Sequence, residues 1–127
     1  MTVQSAATAA SEALETEIGD DLLAVGWYDA QADPRTGSVY LGEGFGEHED
    51  AERGALESSL LESLGRGAYT DIHDEELTTT VRIYETVADV IVPLGEKQGI
   101  VVAVQLNGSR TLERLIEGVR IAAEAST

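Results

Sequence analysis

Cysteine is absent from this chain, and proline (2), methionine (1), tryptophan (1), phenylalanine (1) and lysine (Lys97 alone) are scarce. Without cysteine there is no disulfide framework, no thiolate nucleophile and no cysteine-based zinc site. Basic residues are few as well: 8 Lys and Arg face 24 Asp and Glu, for a formal net charge of -16. No basic stripe exists to contact phosphates, so no nucleic-acid partner is expected. The apolar runs fall far short of the ~20 residues that cross a bilayer, and no membrane insertion is expected. The opening stretch MTVQSAATAASEALETEIGD has neither a basic region nor a continuous apolar core. That composition predicts no secretory signal and a cytoplasmic location.

What is present is enough for a globular core. The 127 residues are 43% hydrophobic, a size and composition that suit one domain spanning 1–127. Twenty-four acids in such a chain repel one another and oppose compactness. Molar salt shortens the Debye length to roughly 3 Å and removes much of that penalty. High acidity, a single lysine and abundant Ala, Val, Thr and Gly resemble the composition of proteins from salt-in haloarchaea. The competing reading is an acidic protein that mimics nucleic acid or binds basic partners. The dispersal of the acids along the chain favours adaptation to salt.

Periodicity predicts the elements. Val3, Ala6/Ala7, Ala10, Leu14 and Ile18 recur at helical spacing, and Gly19 fits a stop. Leu22–Asp29 (LLAVGWYD) reads as a first strand, with Leu23, Val25 and Trp27 on one side and Leu22, Ala24, Gly26 and Tyr28 on the other. Apolar groups on both sides predict cover on both. A loop over Ala30–Gly37 leads to a second strand over Ser38–Leu41. A second helix is expected over Glu47–Leu64, with Leu56, Leu60, Leu61 and Leu64 as its stripe. Ala68–Leu77 reads as an irregular acidic connector.

Thr79–Leu106 holds the densest apolar run and divides into three strands, about Thr79–Glu85, Val87–Pro93 and Ile100–Leu106. The last has Ile100, Val102, Val104 and Leu106 on one face and Val101 and Ala103 on the other, which suits the centre of a sheet. The first of the three is mixed and suits an edge. Ser109 is the expected N-cap of a final helix over Arg110–Glu124, striped by Leu112, Leu115, Ile116, Val119 and Ala123.

The order helix, two strands, helix, three strands, helix at this length resembles the Roadblock/LC7 domain, the scaffold of MglB-type proteins. The likeness runs from the N-terminal helix to LERLIEGVRIAAEA. LLAVGWYD, TTTVRIYE and VIVPLGEKQGIVVAV also look like segments of small uncharacterised haloarchaeal proteins. The Roadblock/LC7 resemblance implies an α+β fold on a five-stranded antiparallel sheet, homodimeric or heterodimeric, regulating a small Ras-like GTPase or serving as a scaffold. It implies a dimer contact through the third strand and second helix, at Leu56, Leu60, Leu64, Thr80, Arg82 and Tyr84. The acidic connector Tyr69–Leu77 departs from that pattern. A PAS- or profilin-like sensor, holding a small ligand between sheet and helix, is the alternative reading.

No catalytic constellation stands beside these elements, so no enzyme, cofactor or metal is expected. Asp71, His73, Asp74, Glu75 and Glu76 offer oxygen and imidazole donors, but a local run in a loop rarely closes a metal site. His48, Glu49 and Asp50 suit the acidic start of a helix. Gly42-Glu43-Gly44-Phe45-Gly46 lacks the spacing, the Lys and the Ser/Thr of a phosphate loop, and its acidic flank would repel phosphate. A hydrolase or transferase would need His48 or His73 beside a carboxylate in a cleft. Arg82 and Tyr84 are residue types favoured at protein interfaces; the alternative for them is an ordinary solvated edge strand.

Overall fold

A computed structural model describes residues 2–31, 35–42, 74–95, 97–106, 108 and 110–125. Helix α1 (Val3–Ile18) begins with a reciprocal cap. The Thr2 hydroxyl accepts from the Ser5 N–H at 3.0 Å, and the Ser5 hydroxyl accepts from the Thr2 N–H at 3.1 Å. Two donors that a helix start leaves unpaired are thereby satisfied. Its buried stripe sets the small residues Ala6, Ala7, Ala10 and Ser11 between Val3, Leu14 and Ile18, so the helix lies close to its neighbours. Gly19 ends it at φ +55°, a left-handed angle that costs glycine little. One 3₁₀ turn (Gly19–Asp21) then leads into the sheet.

The strands are β1 (Leu22–Asp29), β2 (Arg35–Leu41), β3 (Thr80–Ile83), β4 (Val87–Gly95) and β5 (Gln98–Gln105). They form a five-stranded antiparallel sheet in the order β2-β1-β5-β4-β3. Strand β5 is central, as its two apolar faces predict, and β3 is an edge. Helix α2 (Leu112–Ala125) closes the described chain. The chain is thus mixed α+β. The helix expected over Glu47–Leu64 lies outside the described residues.

The two described helices pack on one face of the sheet and on each other, α1 towards β1 and β2, α2 towards β4 and β5. Leu14, Leu115 and Val119 from the helices meet Val25, Val90 and Val102 from the strands in one cluster, each fully buried. The other face is apolar and buried too, with Tyr28, Ile91 and Val101 clustered there. This is the two-sided cover that the strand patterns predict.

Four details correct the sequence reading. A bulge between Leu22 and Ala24 puts Leu22 in the helix-side cluster with Val25, not with Tyr28. One extra residue inverts the alternation, and no period-two pattern can report it. Strand β2 starts at Arg35, not Ser38. Strand β3 is shorter than Thr79–Glu85, whereas β4 runs on to Gly95 and β5 starts at Gln98. Thr111 caps α2, its hydroxyl accepting from the Arg114 N–H at 3.3 Å; Ser109 lies outside the described residues.

Two aromatic rings cover glycines on neighbouring strands. Trp27 of β1 lies over its partner Gly37 of β2, where a Cβ would sit 2.7 Å from ring carbons. Tyr28 covers Gly99 of β5 in the same way, on the opposite face. Removing the side chain under each ring lets it lie flat on the sheet.

Candidate functional site

The edge strand β3 brings together the sequence-predicted contact residues that the structure describes. Thr80 and Arg82 stand opposite Ile91 and Asp89 of β4, on the face away from the helices. Val81 and Ile83 stand opposite Val90 and Ala88, on the helix face. Tyr84 follows, with its N–H donating to the Val87 carbonyl at 2.8 Å. In an antiparallel ladder such bonded positions recur every second residue. Thr80, Arg82 and Tyr84 therefore turn their backbone groups towards β4. The N–H and C=O of Val81 and Ile83 point outward, along the rim of the sheet.

That rim is apolar at one end. Ile83 is 61% exposed and Tyr84 54%, two of the most exposed large apolar side chains among the described residues. The opposite edge, β2, leaves Leu41 at 39%. The residue run Leu77–Tyr84 carries no acid in a chain that has 24. An edge of this kind is a template for another strand.

Behind the rim sits a carboxyl that sequence reasoning missed. Asp89 is 9% exposed, buried between Arg82 of β3 and Ala103 of β5. Burial pushes its pKa above the ordinary value of 3.8, and the Arg82 guanidinium pulls the other way. An isolated acid inside the apolar run Val87–Pro93 is the signal that could have found it. The other edge repeats the pairing with an exposed cation, Arg35 of β2, 3.9 Å from the half-buried Asp29 of β1.

Most of the remaining candidates fall outside the described residues. Leu56, Leu60 and Leu64 lie outside the described residues, as do His48, Glu49, Asp50, Asp71, His73 and all of Gly42–Gly46 except Gly42. Asp74, Glu75 and Glu76 are exposed, and among the described residues no three His, Cys, Asp or Glu side chains form a metal cluster. A surface cleft of about 220 Å³ lies between the end of α1 and α2, lined by Glu17, Ile18, Arg110, Arg114, Glu117, Gly118 and Ile121. That lining holds carboxylates and guanidiniums, but no imidazole, thiol or hydroxyl to act as a nucleophile or as a base near neutrality. No helix among the described residues is long and apolar enough to cross a membrane.

Residues 8–124 match the model of a family described as "Domain of unknown function (DUF7522)". No curated protein and no solved structure matches the chain. The family match takes in nearly all of the elements above, from within α1 to the last turn of α2. The chain belongs to this family of domains of unknown function.

Proposed function

We propose that the chain is a non-enzymatic interaction module, a homodimer that acts as adaptor or regulator in a salt-rich cytoplasm. The observation that carries this reading is the β3 rim: an edge strand with outward backbone groups, ending in exposed Ile83 and Tyr84. A Roadblock/LC7-type dimer joins two sheets through the third strand, and a third strand at the sheet edge is what such a joint requires. The partner class that the resemblance supplies is a small Ras-like GTPase. The alternative, a ligand held between sheet and helices, has less support. Leu14, Val25, Val102 and Val119, which meet across that layer, are fully buried in a single cluster.

Ile83→Pro tests the reading. Proline removes the outward N–H and the exposed isoleucine side chain at this position while leaving the bonds to β4, and it is tolerated on the open side of an edge strand. The variant keeps the circular dichroism of the wild type and loses the dimer. A variant that dimerises like the wild type contradicts the β3 interface. Pull-downs with GTP- and GDP-loaded Ras-like GTPases in molar KCl test the partner class, and failure to bind either form counts against it.

A further inference from the structure

We propose that two copies join through β3 in one register, antiparallel and centred on Ile83, so that Arg82 of each copy lies against the Tyr84 ring of the other. The proposal rests on the homodimer reading and adds the register and the contact to it.

The choice of a second copy follows from charge. A partner selected by attraction to a chain of net charge -16 would be basic and would dock where acids are dense. Leu77–Tyr84 has no acid and one arginine. In a joint centred on Ile83 the nearest flanking acid, Glu85, stands opposite Val81, so an equally acidic molecule can approach without carboxylates facing carboxylates. The β2 edge is also free of acids, from Pro34 to Gly42, but it lacks the exposed apolar pair that ends β3.

The register follows from backbone parity and side-chain pairing. Only Val81 and Ile83 of β3 turn N–H and C=O outward, so a two-fold antiparallel joint must match odd positions with odd positions. Centring on Arg82 would set two guanidiniums opposite each other, and like charges directly opposite destabilise a strand pair. Centring on Val81 would set Ile83 opposite Thr79 and Tyr84 opposite Thr78, leaving the two exposed apolar side chains against hydroxyls. Centring on Ile83 pairs the two isoleucines on the helix-bearing face. On the other face it brings Arg82 opposite Tyr84 twice over. Asp89, beside Arg82 on the neighbouring strand, anchors the cation from behind, and the ring meets it from in front.

The cysteine-free chain makes single-cysteine variants clean probes. Val81→Cys, Arg82→Cys and Ile83→Cys are oxidised in molar KCl, and the mass of each reduced sample is measured by light scattering. In the proposed register only position 83 meets its own copy at disulfide distance. Position 82 is displaced from its twin by roughly 7 Å along the strand, and position 81 by roughly 13 Å. The expected result is a crosslinked Ile83→Cys dimer, with Val81→Cys and Arg82→Cys uncrosslinked. Crosslinking at 81 or 82 instead of 83, in chains that still have twice the monomer mass, overturns the register while the homodimer reading stands. A monomeric wild type overturns both. A second measurement keeps the contact testable on its own. Tyr84→Ala raises the dimer dissociation constant roughly tenfold through two lost ring–guanidinium contacts, whereas Tyr84→Phe stays within about twofold. Equal losses in the two variants overturn the contact.

Discussion

Arg110 reaches Asp21 across 89 residues of sequence, with Nη1 3.3 Å from the carboxylate. The same guanidinium donates to the carbonyls of Glu17 at 2.7 Å and Ile18 at 3.5 Å, the last residues of α1. Helix α1 has no basic residue in its own last turn. Its unpaired carbonyls and the negative end of its dipole are met instead by a side chain from the segment leading into α2. Gly108 makes the approach possible, because a Cβ there would collide with the Asp21 carboxylate.

Arg110→Ala therefore lowers stability by about 1 kcal/mol, a value held down by the part-exposed setting of the pair. Arg110→Lys recovers part of the loss, since a single nitrogen lacks the planar fork by which Nη1 meets Ile18 and Asp21 while Nη2 meets Glu17. Urea unfolding in molar KCl measures both, and an Arg110→Ala variant as stable as the wild type contradicts the capping role.

The two ring-covered glycines respond unequally to a methyl group. Tyr28 is 1% exposed and has nowhere to move, whereas Trp27 is only half-buried. Gly99→Ala costs about 1–3 kcal/mol, in the range of overpacked cores, and Gly37→Ala costs less. Thermal melts of the pair give the order, and the reverse order contradicts this account of the sheet.

These pairs also show how far the sequence could be read. Alternation in Ile100–Val104 was sufficient to place β5 at the centre, and helical spacing with Gly19 gave α1 its bounds. Period-two reasoning failed where a second strand decides. Arg35, Thr36 and Gly37 look like loop, yet they pair with Asp29, Tyr28 and Trp27, where the Trp27 ring lies over Gly37 and the Asp29 carboxylate stands near Arg35. The bulge at Leu22 is likewise a property of the β1–β5 pairing. At the site, Arg82 and Tyr84 were legible as interface residue types on an edge. Asp89 was not, because its burial depends on β3 and β5 lying on either side of it.

Asp89 gives a pH dependence of unusual sign. Its folded pKa is raised above 3.8 by burial, so the folded state holds the proton more tightly than the unfolded chain does. Its contribution to stability falls as pH rises from the ordinary aspartate value through the raised one. Below that window both states are protonated and the penalty vanishes. Asp89→Asn removes the penalty, so its stability relative to the wild type increases with pH across the window and levels off above it. Melting temperatures of the two proteins measured side by side from acid to neutral pH isolate this group from the other carboxylates. A difference independent of pH contradicts the assignment.

Screening of the net charge of -16 predicts that the melting temperature climbs as KCl is raised from roughly 0.1 M to molar concentrations, where the Debye length falls from ~10 Å to ~3 Å. A melting temperature indifferent to salt contradicts adaptation to a salt-rich cytoplasm.

The most direct test of the central claim is the mass of the wild-type chain by light scattering in molar KCl, over a range of concentrations. A homodimer built on the β3 rim gives twice the chain mass of 13.5 kDa. A single-chain mass at every concentration contradicts it.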